Sequence, residues 1–238
     1  MMRGKINAMS KSPMKGQKKN DLSHKSWFVM SYELKPITVK DDAGVRFPET
    51  FVEKFLLEFT EKGDRILDPF AGFGTTLFVA QKLGRIGVGI EYDKRRFEFI
   101  RKRLESSSTI IHGDALHLDT YNIELCDFSI TSPPYMRFHD KENPLTNYAK
   151  SGDYENYLSD IRTIYSHLKK VMKKGAKIVL EVSNTFDDGH PMTPLAWDIA
   201  REISKELFFE REIIYCHENG SIKPNMSNHS YCLLFRNK

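Results

Sequence analysis

The chain has 238 residues, 29% of them charged, with a formal net charge of +4. That length fits one domain with a full core. No apolar run reaches the ~18 residues that a membrane span requires, and the N-terminus lacks the apolar segment of a secretory signal.

The excess charge is local. Residues 1–26 hold seven of the 36 Lys+Arg and one of the 32 Asp+Glu, leaving 29 basic and 31 acidic residues beyond them. This Lys-, Ser-, Met- and Gly-rich segment has no periodicity and is expected to be disordered. It is either a basic arm for phosphate contact or a plain solvated extension. Residues 27–238 are expected to form a single folded domain. Trp27-Phe-Val-Met30 suggests a short strand. Phe47-Pro-Glu49 opens a helix: Pro48 suits its first turn, and Phe51, Phe55, Leu56 and Phe59 recur at helical spacing until Gly63 ends it.

Ile66 and Leu67 read as a buried strand that ends at Asp68 and runs into a glycine-rich turn, with a helix from Thr75 to about residue 83. Gly72 and Gly74 permit positive φ and let a ligand approach the backbone. The helix start adds free N–H groups and a positive dipole end. Two familiar ligands fail on detail. The dinucleotide fingerprint needs a small residue where Leu77 stands, and a P-loop needs a lysine, which is absent between Arg65 and Lys82. The next strand, Ile86–Glu91, closes on a carboxylate that can take both hydroxyls of a ribose. Asp93 can cap a helix carrying Phe97, Ile100 and Leu104 on one face. Residues 109–114 form a third strand ending in Asp114. Asp68, Glu91 and Asp114 are thus delivered to the C-terminal edge of a parallel sheet, where such folds bind ligands.

Cys126–Thr131 is the fourth strand and leads into Thr131-Ser-Pro-Pro-Tyr135. Residues 136–153 read as a long loop over the active site, with Arg137, His139, Lys141 and Lys150 among Phe138, Asn143 and Tyr148. Tyr154–Val171 is a strongly amphipathic helix, and residues 176–182 a fifth strand. Thr193 and Pro194 make a cap-and-N1 pair for a helix to Leu207. Residues 208–216 and 230–236 read as antiparallel strands joined by the loop 217–229, which brings the count to seven. Cys126, Cys216 and Cys232 are never spaced C-x-x-C and read as buried free thiols of a reduced, cytoplasmic protein. The eight histidines show no metal-ligand spacing, so no metal is assigned.

Asp68-Pro-Phe-Ala-Gly-Phe-Gly-Thr-Thr76 together with Thr131-Ser-Pro-Pro-Tyr135 resembles the S-adenosylmethionine (SAM)-dependent amino-methyltransferases of DNA, over roughly residues 47–235. The resemblance implies an α/β, Rossmann-like class I methyltransferase fold, with a seven-stranded, mostly parallel sheet and an antiparallel C-terminal strand. It implies SAM as methyl donor. The pocket for it would comprise Phe47, Pro48, Asp68, Phe70, Gly72, Gly74, Thr75, Thr76, Glu91, Tyr92, Asp114 and Ala115. Phe47 and Pro48 would flank the methionine moiety, and Asp114 would accept from the adenine amino group. Ser132, Pro133, Pro134 and Tyr135 would be catalytic.

The chemistry of that turn is legible. An exocyclic amine is a poor nucleophile because its lone pair is delocalised into the ring. Ser132 Oγ and the Pro133 carbonyl can hold its hydrogens and free the lone pair, while the prolines add rigidity and no competing N–H. Tyr135 offers a face for a flipped base. In the family it resembles, Thr-Ser-Pro-Pro-Tyr goes mostly with N4 of cytosine and Asp-Pro-Pro-Tyr with N6 of adenine, so the resemblance leans towards cytosine. Only short loops remain to read a DNA sequence. Recognition is therefore loop-based, or relies on a partner or a homodimer, or the substrate is RNA. A cognate restriction endonuclease is the partner the resemblance suggests. The non-enzyme rival is a SAM-binding nucleic-acid protein, against which the intact Ser132-Pro-Pro-Tyr135 argues.

Overall fold

The computed structural model describes residues 22, 24–37, 46–218 and 227–238. Its strands are β1 (Trp27–Met30), β2 (Arg65–Asp68), β3 (Ile86–Glu91), β4 (Thr109–His112), β5 (Cys126–Thr131), β6 (Met172–Val182), β7 (Phe208–His217) and β8 (His229–Arg236). Its helices are α1 (Glu49–Phe59), α2 (Thr75–Lys82), α3 (Lys94–Arg101), α4 (Tyr154–Val171) and α5 (Leu195–Ile203). The strands form one sheet in the order β1-β7-β8-β6-β5-β2-β3-β4. Every neighbouring pair is parallel except β8 with β6 and with β7. This is the expected class I methyltransferase arrangement with one strand more than the seven counted. The extra strand, β1, joins the edge in parallel, Trp27 opposite Ile214.

Alternation along the strands builds a core on each face. Leu67, Ile178, Leu180, Leu233 and Phe235 pack with α4 and α5. Their neighbours Ile66, Val179 and Leu234 pack on the other face with Phe51, Phe55 and Leu56 of α1 and Val79 and Ala80 of α2. The buried guanidinium of Arg85 closes α1, donating to Thr60 O at 2.8 Å and to Leu56 O at 3.4 Å.

Leu77 explains the glycines of β3. A Cβ on Gly87 would meet Leu77 Cα at 3.0 Å, and one on Gly89 would meet Leu77 Cδ1 at 3.0 Å. The close approach of helix to strand that the dinucleotide fingerprint obtains from a small helix residue is here obtained from small strand residues.

Chain order reverses between β2 and β5. From β2 the chain steps outward through β3 and β4, then returns to add β5 and β6 on the other side. The crevice at that switch point is where open α/β sheets bind ligands. Thr131 Oγ1 of β5 donates across it to Asp68 Oδ1 of β2 at 2.6 Å.

Several expectations need correction. Pro194 occupies the N-cap position of α5, and its side chain makes no capping bond. Asn184 Oδ1 accepts from Ala196 N at 2.9 Å instead, while Thr193 pairs its backbone with Thr185. The helix also stops at Ile203, four residues short of Leu207. β6 begins at Met172, directly after α4, four residues before the expected strand start. Cys126 and Cys232 are buried free thiols, but Cys216 is only partly buried. Leu22, assigned to the tail, is buried in the α1-side core. The expectation of disorder for residues 1–26 otherwise falls mostly outside the described residues, as does most of the loop 217–229. No described helix is long and apolar enough to cross a membrane.

Candidate active site

A cleft of about 1050 Å³ opens over the switch point. Of the residues singled out from sequence, Phe47, Asp68, Phe70, Gly72, Thr75, Glu91, Tyr92, Asp114, Ala115, Ser132, Pro133, Pro134 and Tyr135 line it. Pro48, Gly74 and Thr76 do not. Pro48 is the N-cap of α1, its carbonyl accepting from Phe51 N at 3.1 Å. Gly74 caps α2 at φ +82°, the left-handed backbone expected of it, and a Cβ there would meet Ile100 Cγ1 at 2.9 Å, so it serves the turn and its packing rather than the cleft. Thr76 is buried behind the turn, where its hydroxyl favours the ionised form of Asp68.

Gly72 is different. It lies at φ +56°, and a Cβ there would meet only Phe70 O, at 3.9 Å. The backbone of the turn therefore presents itself bare to the cleft.

Asp68 and Glu91 share a condition. Burial pushes Asp68 up to about 6, against the pull of Thr131, Thr76 and the Phe70 N–H. Burial pushes Glu91 up to about 7, against the Asp93 N–H, Arg96 and the Gly72 N–H. Glu91 clamps the glycine turn to the end of β3: Oε2 accepts from Gly72 N at 2.7 Å and Oε1 from Asp93 N at 2.8 Å. β4 stops at His112, two residues short of the expected Asp114, which instead caps a short 3-10 turn: its Oδ1 accepts from Leu116 N at 2.9 Å, and Tyr121 Oη accepts from Asp114 N at 2.9 Å. Buried acceptors facing a cleft suit a ligand that brings hydroxyl, amino or ammonium donors.

The Pro-Pro-Tyr turn is braced from below. Tyr157 Oη of α4 donates to Pro134 O at 2.8 Å, and Ser183 N donates to Tyr135 Oη at 2.9 Å. The carboxyl of Glu181, on β6, lies beside Ser132 and lines the same cleft. Burial raises its pKa, and the hydroxyls of Ser230 and Ser132 pull the other way. Ser230 Oγ lies 3.3 Å from Nε2 of the buried His217, whose imidazole burial lowers to about 4. Sequence reading missed Glu181, although one signal was present: a lone carboxylate within the apolar run Ile178-Val-Leu-Glu-Val182.

Two loops meet at the mouth. Phe138 N donates to Thr193 Oγ1 at 3.2 Å, and Arg137 Nη1 pairs with Asp187 Oδ2 at 2.6 Å. Arg137, His139, Lys141 and Tyr148 of the loop expected over the site do line the cleft, whereas Phe138 packs edge-on against Tyr154. Tyr148 is exposed and held at φ +60°, a backbone region unusual for an aromatic residue.

The fold has many solved relatives. TrmN from Thermus thermophilus aligns over 80% of this chain and 49% of its own, with a TM-score of 0.55 and 16% identity. The N-methyltransferase NodS from Bradyrhizobium japonicum, solved with S-adenosyl-L-homocysteine, aligns over 79% of this chain and 85% of its own, with a TM-score of 0.54 and 14% identity. Among curated relatives, the type II methyltransferase M2.DpnII of Streptococcus pneumoniae is 48% identical over 61 residues, covering 26% of this chain and 23% of that protein. M2.LlaDCHI of Lactococcus lactis subsp. cremoris is 44% identical over 62 residues, covering the same two shares. These matches span about a quarter of each relative's length. A family model described as DNA methylase (N6_N4_Mtase) matches residues 3–102 and 126–238, most of the chain. The chain belongs to this DNA methylase family, and SAM is the methyl donor that goes with that membership.

Proposed function

We propose that the protein transfers a methyl group from SAM to the exocyclic amino group of a base in DNA, with N4 of cytosine as the target. One observation carries the reading: Ser132-Pro-Pro-Tyr135 lines the same cleft as the bare glycine turn and the three strand-end carboxylates. When bound, SAM supplies an electrophilic methyl on a sulfonium. Glu91 is assigned to the ribose hydroxyls, Asp114 to the adenine amino group, and Phe47 to the wall beside the methionine moiety. Asp68 supports the turn through Phe70 N, which donates to its Oδ1 at 3.0 Å.

On the base side, Ser132 Oγ and the Pro133 carbonyl accept the amine's two hydrogens, and Tyr135 stacks on the flipped ring. The amine must shed one proton as the new N–C bond forms. Ser132 takes it while passing its own to Glu181, whose carboxyl lies beside it. A buried carboxyl with a raised pKa suits that task. Alignment supplies much of the rest. Serine as the first residue of the turn favours cytosine over adenine. The three unpaired cysteines favour a reducing cytoplasm.

Incubation with labelled SAM and either duplex DNA or total RNA, followed by digestion to nucleosides, tests the reading. N4-methylcytosine from DNA is expected. N6-methyladenine would overturn the choice of base and leave the acceptor turn standing. Label in RNA alone would overturn the DNA substrate, and no label in either would overturn the reaction.

A further inference from the structure

The two loops at the cleft mouth bring together three side chains far apart in sequence. A donor atom each from His139, Asp187 and His190 all lie within 4.8 Å of one another. We propose that these residues form a binding site for one zinc-type divalent ion that clips the loop after the Pro-Pro-Tyr turn to the loop after β6.

The backbone prepares the site. His190 N donates to Asp187 O at 3.1 Å, and Gly189 sits between them at φ +80°, so a tight turn sets Asp187 and His190 side by side. Thr185 and Thr193 close that loop with two backbone hydrogen bonds, of 3.1 and 2.8 Å. Phe138 N on Thr193 Oγ1 then fixes His139 opposite the turn. None of this depends on an ion.

The ligand geometry is close to what an ion needs. His139 Nε2 and Asp187 Oδ2 are 3.4 Å apart. Two ligands about 2.0–2.1 Å from a tetrahedral ion are separated by roughly 3.3–3.4 Å. The imidazoles of His139 and His190 stack with centroids 4.1 Å apart, and binding would open that stack so that a nitrogen of each ring meets the ion. Two imidazoles and one carboxylate are a borderline N/O set that suits Zn²⁺ over Mg²⁺ or Ca²⁺. Water would fill the fourth position. Arg137, now on Asp187 Oδ2 at 2.6 Å, would take the carboxylate's other oxygen and become the outer partner that metal-bound carboxylates commonly have. The rival is a charged surface cluster that binds no ion, formed by Arg137, Asp140, Asp187 and the two histidines.

The test uses the full chain freed of metal by chelation and dialysis, then titrated with Zn²⁺ by calorimetry. One equivalent is expected to bind saturably. His139→Ala and His190→Ala should each weaken binding by on the order of tenfold or more. His112→Asn, four strands away on β4, should leave it unchanged. Co²⁺ in place of Zn²⁺ should give the intense visible absorption of a four-coordinate ion, lost in both alanine variants. Absence of saturable binding near one equivalent would overturn the proposal. So would Zn²⁺ affinity that survives in a His139→Ala/His190→Ala double variant with an intact far-UV circular dichroism spectrum. Both readouts use the metal alone, so they stand apart from the proposed methyl transfer.

Discussion

Glu181 and Ser132 come from different strand ends, β6 and the exit of β5, and their side chains meet in the cleft beneath the Pro-Pro-Tyr turn. Adjacent parallel strands make the meeting possible, because Thr131 lies opposite Leu180, one residue before each partner. The pairing gives the serine a direction. Under the proposed mechanism, a Ser132 hydroxyl hydrogen turned to Glu181 rather than to the neighbouring Tyr135 hydroxyl would leave Oγ its lone pairs for the amine of a flipped base.

The two residues are therefore expected to act as a unit. Glu181→Gln and Ser132→Ala should each lower the single-turnover methylation rate by roughly a hundredfold, the low end of general acid–base contributions, with little change in SAM affinity. The double variant should be no slower than the worse single one. Glu181→Gln should also flatten the acid limb of the pH–rate profile, which a purely structural role would leave in place. Strictly additive losses would separate the residues and remove the proton path.

The strand-end carboxylates make a second, thermodynamic claim. Asp68 at about 6 and Glu91 at about 7 both lie above the ordinary carboxylate values of an unfolded chain. Between roughly pH 4 and 7 the folded state therefore holds more protons than the unfolded state, and their contribution to stability falls as pH rises. Glu91→Gln should flatten that slope by up to about one proton, or about 1.4 kcal/mol per pH unit at its steepest. Denaturant melts from pH 4.5 to 8 would show it, and an unchanged slope would exclude a raised Glu91. The ligand should act in the opposite sense. Hydroxyl donors favour the ionised carboxylate, so SAM affinity should fall up to about tenfold per pH unit below 7, and Glu91→Gln should blunt that fall.

Much of this arrangement was legible in the chain because local signals carried it. Asp68-Pro-Phe-Ala-Gly-Phe-Gly, Glu91 closing β3, Asp114 in the turn just past β4, and Ser132-Pro-Pro-Tyr135 each combine an element boundary with a chemical group. What stayed hidden depends on contacts between distant segments. Asn184 rather than Thr193 caps α5 because the loop after β6 folds back on the helix start. Gly74 has a glycine's φ but faces Ile100, not the cleft. His139 and His190 lie 51 positions apart in sequence, and no ligand-spacing rule could join them.

A third prediction concerns the basic N-terminal segment. Leu22 is buried and its carbonyl accepts from Arg211, so a cut at residue 26 would remove part of the core. Deleting residues 1–20 keeps Leu22 and removes six of the 36 Lys+Arg. If the segment neutralises DNA phosphates, the slope of log K against log[salt] should become shallower by about 0.9 for each phosphate it no longer neutralises. The methylated base should stay the same. An unchanged slope would make the segment an inert extension.

The last prediction separates two jobs of Tyr135. Its hydroxyl accepts from Ser183 N and so ties the turn to the end of β6, while its ring lines the cleft. Tyr135→Phe removes the acceptor and leaves the Ser183 N–H without its partner, at a cost of about 1–3 kcal/mol in stability. The stacking face remains, so capture of a flipped base should change little. Tyr135→Ala removes both, and base capture should weaken by roughly a further 1–3 kcal/mol, the scale of one base–aromatic stack. Melting curves report the first job. Binding to DNA carrying a mismatched target base, which lowers the cost of flipping, reports the second. Should Phe at 135 weaken capture as much as Ala does, the hydroxyl and its bond to Ser183 would be what holds the base site together, and the ring would have no stacking role.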